Sequence, residues 1–321
     1  MSNTSLPLPT LSSAAVERLK KSYIIAKNAR WSVLKASGSD IRSYLQGQIT
    51  QDIDKLSGQQ AIHSCLLSPQ GKAVSELFII AGHNDELIIL TPSSHAEATV
   101  ARLRQFALGH QLRIGIVDTL AVYSLHGSQS HDGLHQLALK PPQGNWLACD
   151  AKADDDTYAL LMRSDTQSYW LIGNSQRIES AIPDTHRAST TELEALRISQ
   201  GKPVFGIEWD ESLHPLNANL VEFNGVDFNK GCYVGQEVTS RMHWRGGIKK
   251  KLYRVKLDAI PTALPCPIHS TAKIGELKSA ALDEQGQCFG IALLPIEVAE
   301  SETSLTLENN TTITILEACH A

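Results

Sequence analysis

The pattern of hydrophobic residues changes at Gly246-Gly247, and no other feature of the sequence constrains the fold as strongly. Before this point, strand-like alternation of apolar residues is interrupted by stretches with helical spacing, which is typical of an α+β domain. After it, the sequence predicts short strands between Pro, Gly and Asn turn signals, and no helix. These strands are 250–257, 272–279, 287–294, 303–308 and 311–316. We therefore expect a body over residues 23–245 and a small antiparallel β-barrel over residues 246–321.

The body is expected to contain two related α+β halves, at about 23–125 and 150–245. Its predicted strands are 31–36, 61–67, 73–81, 86–91, 112–118, 120–125, 157–163 and 168–172. Helices are predicted from the stripe Ile41, Tyr44, Leu45 and Ile49, at 93–108 and 174–182, and from a capping-box pattern at Thr191 and Glu194. Residues 126–156 are predicted to be loops around one short strand, and residues 1–22 a loose N-terminal arm.

Composition limits the class of protein. The chain has 321 residues, of which 42% are hydrophobic and 20% charged, which excludes a disordered or collagenous protein. No stretch approaches the ~18 apolar residues of a membrane helix, and the N-terminus does not resemble a secretion signal. Six scattered cysteines without a C-x-x-C pair exclude a disulfide scaffold and a zinc ribbon. We expect a cytoplasmic protein that does not contact a membrane.

Residues 230–257 form a strongly basic segment. They carry eight Lys and Arg side chains and one acid, Glu237, on a chain whose net charge is −5. Such a density of positive charge predicts attraction to a polyanion. The alternative is a solvated strand edge on which lysines prevent edge pairing.

Cys232 lies inside this basic segment. A helix that begins at Tyr233 would place Cys232 at the helix N-terminus, where the helix dipole and Lys230 both favour a thiolate. A thiolate can attack a disulfide, ligate iron or copper, or accept sulfur. The alternative is an inert buried cysteine, since free cysteine is among the most buried residue types.

The run Lys230-Gly231-Cys232-Tyr233-Val234-Gly235-Gln236-Glu237 resembles the K-G-C-Y-x-G-Q-E motif of the YgfZ family. Weaker blocks of the same family precede it in the expected order. They are Gly38-Ser39-Asp40, the run 44–53 with its Q-G-Q sequence, Ser68-Pro69-Gln70-Gly71-Lys72, Leu196-Arg197-Ile198 with Pro203, and Pro215-x-Asn217-x-Asn219-Leu220. The resemblance covers most of the chain from about Trp31 onward.

The resemblance implies a fold and a ligand. Members of this family are folate-binding proteins similar to the glycine-cleavage T-protein, and they are linked to iron–sulfur proteins and to tRNA modification. The resemblance implies a T-protein-like body that holds tetrahydrofolate, which is often polyglutamylated, in a central channel capped by the barrel. Trp31 would wall this channel, and Leu193 stands where well-known members have a second tryptophan.

Site residues follow from the same resemblance. Cys232 would be the reactive thiol, and Lys230 would lower its pKa. The residues expected to bind folate are Trp31, Gln48, Leu193, Arg197, Tyr233, Gln236, Glu237, Arg241 and Arg245. In the basic segment, Arg241, Arg245 and Lys249 to Lys251 would pair with the glutamate tail or with tRNA phosphates, and the sequence leaves both open.

Other chemistries are less well supported. The T-protein uses an acidic pair after its glycine turn, whereas Ala73-Val74-Ser75-Glu76 retains one acid, which disfavours an aminomethyltransferase. A tRNA-binding module without catalysis would explain the basic segment but not Cys232. Three histidines, His126, His131 and His135, have irregular spacing for metal ligation, so we predict a solvated loop and no metal site.

The sequence therefore predicts a tetrahydrofolate-binding factor that supports assembly or repair of iron–sulfur clusters, including those of enzymes that modify tRNA. Its expected partners are folate, iron–sulfur client proteins and tRNA at residues 241–256. The sequence leaves open whether it turns over a substrate; as an enzyme it would be a folate-dependent one-carbon transferase.

Overall fold

A computed structural model of the chain describes residues 6–152, 156–163, 167–270, 273–301 and 304–321. The strands before residue 250 are β1 (Ile24–Lys27), β2 (Trp31–Ser37), β3 (Ile62–Leu67), β4 (Ala73–Ala81), β5 (Leu87–Pro92), β6 (Arg113–Ile116), β7 (Leu120–His126), β8 (Cys149–Ala151), β9 (Tyr158–Arg163) and β10 (Ser168–Asn174). The helices are α1 (Ser13–Lys21), α2 (Ile41–Gln46), α3 (Ala96–Gln105), α4 (Ser130–Gln136), α5 (Ser175–Ala181), α6 (Thr190–Ser199), α7 (Gln236–Trp244) and α8 (Ile296–Ala299). No described helix has the length and apolar character needed to cross a bilayer.

The body contains two antiparallel five-stranded sheets. The first has the strand order β3-β4-β5-β2-β6, and the second has the order β1-β7-β10-β9-β8. Successive side chains of β2 point to opposite faces of the first sheet. Leu34 and Ala36 pack with the residues of α2 and α3, whereas Trp31 and Val33 pack with residues of the second sheet. The two sheets therefore face each other across a shared core.

The C-terminal part forms a closed barrel. Its strands are β11 (Lys250–Leu257), β12 (Cys266–His269), β13 (Lys273–Leu282), β14 (Cys288–Pro295), β15 (Leu305–Thr306) and β16 (Thr312–Ala318), in the order β11-β14-β13-β12-β15-β16. The barrel packs on the body through a cluster in which Leu252 and Ile291 lie with Leu196 and Ile198 of α6. An α+β body with a C-terminal antiparallel barrel is thus confirmed.

The predicted loose arm is wrong for the part of residues 1–22 that the structure describes; residues 1–5 lie outside the described residues. Residues Ser13–Lys21 form α1, and the side chain of Ser12 accepts a hydrogen bond from the Ala15 amide. The amide of Leu11 donates to the Leu282 carbonyl, and Leu11 and Ala15 are buried. Apolar contacts therefore hold this segment against the body and barrel.

Several local predictions also differ from the structure. The region 126–156 contains α4. Residues 153–155 of this region lie outside the described residues, as do residues 272 and 303, at which two of the predicted barrel strands begin. The barrel contains β12 and the short α8, neither of which was predicted. The capping box of α6 is formed by Ser189 and Glu192, because the Ser189 hydroxyl accepts from the Glu192 amide and the Glu192 carboxylate accepts from the Ser189 amide.

The sheets do not divide the chain at the limits predicted for the two halves. Strands β1 and β7 lie in the predicted first half, yet β1 pairs with β7 and β7 pairs with β10 in the second sheet. The first and last strands of the predicted first half, β1 and β7, therefore belong to the second sheet.

Candidate functional site

A cavity of about 310 Å³ opens between the two sheets, with α6 along one side. Its walls are mainly aromatic. Trp31 comes from β2, Phe78 from β4, Trp170 from β10, Trp146 from the segment before β8, and Phe223 from the segment before α7. Pockets for small ligands have this character, a few hundred cubic ångströms with apolar walls and a few polar groups.

Three of these rings form a compact cluster. The ring centroids of Trp31 and Trp170 are 5.1 Å apart, those of Trp31 and Phe78 5.2 Å, and those of Phe78 and Trp170 5.1 Å. Trp31 is 5% exposed, so its ring is fixed in the core while one part of it lines the cavity. Such a cluster offers faces and edges on which a flat heteroaromatic ring can pack.

A buried polar pair lies at the wall of the cavity. Glu76 lines the cavity, and its Oε1 is 2.9 Å from Nε2 of His63. The other carboxylate oxygen accepts a hydrogen bond from the amide of Phe205 at 3.1 Å, and Nδ1 of His63 lies 2.9 Å from the carbonyl oxygen of Phe223. This acid therefore has a fixed orientation at the site.

His126 supplies a second polar group. It lines the cavity at the end of β7, and its Nδ1 is 2.8 Å from the hydroxyl of Ser168. Its Nε2 is buried and has no hydrogen-bond partner among the described residues. Burial lowers the pKa of His126 to about 4, so the ring is neutral near pH 7. A buried polar atom without a partner at a cavity wall is suited to a ligand that supplies the missing hydrogen bond.

Charged side chains surround the aromatic walls. Arg197 forms ion pairs with Glu194 at 2.7 Å and Glu208 at 2.8 Å, and Arg30 pairs with Glu194 at 2.9 Å. Burial opposes the charged form of Arg197, but Glu208 and Glu194 outweigh that effect and raise its pKa. The cationic residues in the cavity lining are Lys27, Arg30, Arg163, Arg197 and Lys202. Of these five, Arg30 and Arg197 are already paired with acids of this chain.

The structure divides the predicted folate-binding residues into two groups. Trp31, Leu193 and Arg197 line the cavity. Gln48, Tyr233, Gln236, Glu237, Arg241 and Arg245 are not among the lining residues. The cavity residues that the sequence did not reveal include Trp170, Trp146, Phe78 and His126, because their roles depend on which strands become neighbours. The acid Glu76 was noted in the sequence, but only as a remnant of an acidic pair.

The Cys motif packs against the loop that carries the Q-G-Q block. The ammonium of Lys230 donates hydrogen bonds to the carbonyl oxygens of Gln46, Ile49 and Gln51 at 2.8, 2.8 and 2.9 Å, and the amide of Val234 donates to Gly47. Three acceptors match the three donors of an ammonium. Burial lowers the pKa of Lys230 to about 8, and Asp52 and Asp227 oppose this shift. Lys230 therefore joins the two motifs, and its predicted action on Cys232 stays a prediction.

Cys232 is exposed, whereas five other cysteines are buried or partly buried. The helix predicted from Tyr233 begins instead at Gln236, after Gly235, so Cys232 precedes the helix and does not cap it. Gly235 has φ +83°, and a Cβ there would lie 2.7 Å from the carbonyl oxygen of Ser68. The turn that carries Cys232 is thus fixed close to residues 68–71, and Cys232 is not a buried cysteine.

Four of the other predicted residues are paired or buried. Gln48 accepts a hydrogen bond from Arg102 at 3.3 Å, Tyr233 is buried, and Glu237 pairs with Arg241 at 2.6 Å on the surface of α7. Among the basic residues, Lys251 pairs with Glu222, and Arg254 pairs with Glu317. The side chains that remain exposed are Arg241, Arg245, Lys249, Lys250 and Lys256. The segment is therefore only partly a free cationic surface, and Trp244 beside it is 70% exposed.

The histidines considered as metal ligands do not form a solvated loop. His126 is buried at the end of β7, and His131 and His135 lie on α4, where His131 hydrogen bonds to Tyr169. Among the described residues, no group of three or more His, Cys, Asp and Glu side chains is arranged to hold a metal ion.

The fold is that of the glycine-cleavage T-protein. The chain superposes on the aminomethyltransferase T of the glycine cleavage system from Bartonella henselae with a TM-score of 0.81 and 14% identity, covering 97% of this chain and 90% of that one. The T-protein-like fold predicted from the sequence is thus confirmed.

The amino-acid sequence is also similar to those of several curated proteins. The tRNA-modifying protein YgfZ of Hamiltonella defensa is 26% identical over 276 residues, which cover 84% of this chain and 78% of that protein. The tRNA-modifying protein YgfZ of Aliivibrio fischeri is 24% identical over 301 residues and 90% of each chain. That of Colwellia psychrerythraea is 26% identical over 255 residues, covering 78% and 75%. No protein-family model matches the chain. The resemblance to the YgfZ family is confirmed over most of the chain.

Proposed function

We propose that this protein binds tetrahydrofolate in the cavity between its two sheets and, with Cys232, supports the assembly or repair of iron–sulfur clusters in the cytoplasm. Clients that modify tRNA are the expected partners, in keeping with the name of the YgfZ relatives. The observation that carries the proposal is the aromatic cavity, in which Trp31 and Trp170 meet beside the acid Glu76.

The residues present fit a reduced folate. A folate combines a flat pterin, an aryl ring and a tail of one or more glutamates. The aromatic walls suit the two rings. The free Nε2 of His126 and the carboxylate of Glu76 suit the polar edge of a pterin, and the lining cations Lys27, Arg163 and Lys202 suit tail carboxylates. This tail assignment replaces Arg241, Arg245 and Lys249 to Lys251, which do not line the cavity.

Folate, when bound, supplies a nitrogen that carries a one-carbon unit. The chain's own contribution is to bind, to orient and to exclude water. The aromatic walls remove water from the rings, and Glu76, fixed by His63 and the Phe205 amide, supplies one acid of defined orientation. The buried network of Arg197, Glu194 and Glu208 fixes α6 against the segment that follows it.

Cys232 is proposed to act outside this cavity. Its exposure makes the thiol available to a partner protein or to a sulfur or iron carrier. One thiol is too few for the usual four-cysteine ligation of a cluster, so we propose transient handling or a bridged cluster rather than stable binding. We propose further that the body spans 23–245 and the barrel 246–321.

Contact with tRNA is a second proposal, which the exposed cations Arg245, Lys249 and Lys250 favour. Trp244 lies beside them and is 70% exposed. Cations next to an exposed aromatic ring suit the phosphates and bases of an unpaired strand.

Calorimetric titration with tetrahydrofolate bearing one or several glutamates tests the proposal. We expect binding to both forms, with affinity that rises with glutamate number and falls with salt, because the tail carboxylates meet cations. Trp244→Ala is a matched control, since it removes a tryptophan outside the cavity. Absence of binding to either form would refute the folate proposal.

A further inference from the structure

We propose that a second cavity, on the face of the second sheet that points away from the first sheet, binds the terminal glutamates of a polyglutamylated folate. The rings of the same ligand would occupy the aromatic cavity between the sheets. The second cavity has a volume of about 200 Å³. This assignment rests on the proposed folate site and narrows its ligand to a folate that carries several glutamates.

The aromatic cavity opens to solvent at one end. Its exposed lining residues are Lys27, Ala29, Arg30 and Thr190, whereas the other lining residues are buried or half-buried. Lys27 ends β1, the next two lie in the turn before β2, and Thr190 begins α6. A ligand longer than the aromatic cavity therefore leaves it between the end of β1 and the start of α6.

The second cavity begins at the same place, because Lys27 and Thr190 line both cavities. Strand β1 is the edge strand of the second sheet, so a chain can pass around it without crossing another strand. The segment before α6 covers part of this edge, where the Ala188 amide donates to the carbonyl oxygen of Ile25. The exposed part of the edge is at Lys27, and the tail would round the sheet there.

The walls of the second cavity are mainly apolar. Ile25 and Tyr123 of the sheet line it together with Ile178 of α5 and Ile182, and these four residues share one core cluster. Trp31 of the aromatic cavity belongs to a different cluster, which lies between the sheets. A γ-linked glutamate tail has two methylene groups between successive carboxylates, and apolar walls remove these groups from water.

Cations are placed to meet the carboxylates of such a tail. Lys27 is exposed at the junction of the two cavities, and Arg187 lines the second one. Arg187 donates to the Glu179 carbonyl oxygen at 2.8 Å, and its Nε lies 2.8 Å from Oδ1 of Asp184. The side chain of Asp184 is 91% exposed, so this ion pair is weak, and a tail carboxylate can take the place of Asp184.

One acid also lines the second cavity. The carboxylate of Glu179 accepts a hydrogen bond from the Tyr123 hydroxyl at 2.6 Å. Burial raises the pKa of Tyr123 to about 12, so the phenol keeps its proton and remains the donor. The negative charge of Glu179 is therefore held on Tyr123, and Lys27 and Arg187 are the charged groups of the lining that attract a carboxylate.

The position of the tail can be observed directly. NMR of the protein with ¹³C-labelled isoleucine methyl groups is recorded with tetrahydrofolate that carries one or five glutamates. We expect the five-glutamate form to move the signals of Ile178 and Ile182, and the one-glutamate form to leave them in place. Ile79 and Ile89, in the core beneath α2 and α3, are the controls and should move with neither form. Signals of Ile178 and Ile182 that are the same with both forms would overturn the proposal.

The ratio of the affinities for the five-glutamate and one-glutamate forms gives an independent measure. Lys27→Met should lower this ratio about twofold to fivefold, the range of a partly exposed ion pair. Asp184→Asn should raise it by a similar factor, because the substitution removes the acid that competes for Arg187. Lys140→Met, at an exposed position before β8, is the matched control and should leave the ratio unchanged. A ratio that Lys27→Met leaves unchanged, or that Asp184→Asn lowers, would overturn the proposal.

The tail site and the folate proposal fail in different ways. If both forms bind and the signals of Ile178 and Ile182 stay in place, the folate proposal stands and the tail site is wrong. If neither form binds, the folate proposal is wrong, and p-aminobenzoyl-pentaglutamate, which keeps the aryl ring and the tail, is added instead. Movement of Ile178 and Ile182 would then uphold the tail site, and unmoved signals would overturn it.

Discussion

The rings of Trp31 and Trp170 lie 5.1 Å apart, centroid to centroid, although they belong to different sheets. Trp31 is in β2, between β5 and β6, and Trp170 is in β10, between β7 and β9. The contact exists only when the two sheets pack face to face. The cavity is therefore a product of the tertiary structure, and a ligand that bound both rings would stabilise the packing of one sheet on the other.

Trp170→Ala should weaken binding of tetrahydrofolate. Trp170 is half-buried at the cavity wall, so the substitution removes ring contacts with less damage to the core than Trp31→Ala. Stacking of an aromatic side chain on a heterocyclic base contributes about 1–3 kcal/mol, so we expect a loss of about tenfold to a hundredfold in affinity. Calorimetry measures this loss, with Trp244→Ala as the control.

An equal loss of affinity in Trp170→Ala and Trp244→Ala would contradict this expectation, because the two variants share only the removal of a tryptophan. Circular dichroism should show the same secondary structure in both.

His126 should make the protein less stable as the pH falls. Burial lowers its pKa from 6.5 to about 4, so the unfolded chain takes up a proton in this range before the folded one does. Stability linked to the neutral ring is therefore present above pH 6.5 and is lost as the pH falls towards 4. Between pH 7 and pH 5 the loss from this group is about 2 kcal/mol.

Urea unfolding at pH 7 and pH 5 measures this effect, and His126→Gln should reduce the difference between the two free energies of unfolding. His320→Gln is the matched control, because His320 is an exposed residue near the C-terminus. A pH dependence that His126→Gln leaves intact would show that other groups cause it.

The sequence predicted most elements of the fold but few of the cavity residues. Apolar periodicity is local, so β4 and β14 were predicted within a few residues of their observed limits. The partner of a strand is not a local property. Nothing near residue 24 indicates that β1 joins the second sheet, and nothing near residue 170 indicates that Trp170 meets Trp31.

The motif around Cys232 illustrates the same limit on a smaller scale. The residues around Cys232 left both a reactive thiolate and an inert buried cysteine open, and the thiol is exposed. The role of Lys230 was not predictable, because its acceptors are carbonyl oxygens of residues more than 170 positions earlier in the chain. The amino-acid sequence does not show which backbone carbonyl oxygens lie near a given side chain in the folded protein.

Lys230→Met should destabilise the protein. The substitution leaves the carbonyl oxygens of Gln46, Ile49 and Gln51 without their donor, and we expect a loss of about 3 kcal/mol in the free energy of unfolding. Lys20→Met, at an exposed position on α1, should change it by less than about 0.5 kcal/mol. Denaturant unfolding compares the two.

A Lys230→Met protein of unchanged stability whose Cys232 reacts more slowly with iodoacetamide would instead support the predicted action of Lys230 on the thiol.

Cys232 should be the first cysteine to react with iodoacetamide in the native protein. It is exposed, whereas the buried thiols of Cys149, Cys288 and Cys319 have pKa values raised by burial. Cys232→Ser should unfold at the same denaturant concentration as the wild type yet fail to restore an iron–sulfur enzyme in cells that lack the protein. Cys266→Ser, at a partly buried position, is the control and should restore it.

Replacing Arg245, Lys249 and Lys250 by Ala should weaken binding of tRNA. Each cation that neutralises a phosphate contributes about 0.7–0.9 to the slope of log affinity against log salt, so the triple variant should lower the slope by about two. Filter binding at several salt concentrations measures it. A triple replacement of Lys20, Lys21 and Arg113, which are exposed on other surfaces, removes the same charge and should leave the slope nearly unchanged. If tRNA binding is unaffected while affinity for polyglutamylated folate falls, these cations serve the folate tail after all, and the route of the tail from the cavity must reach α7.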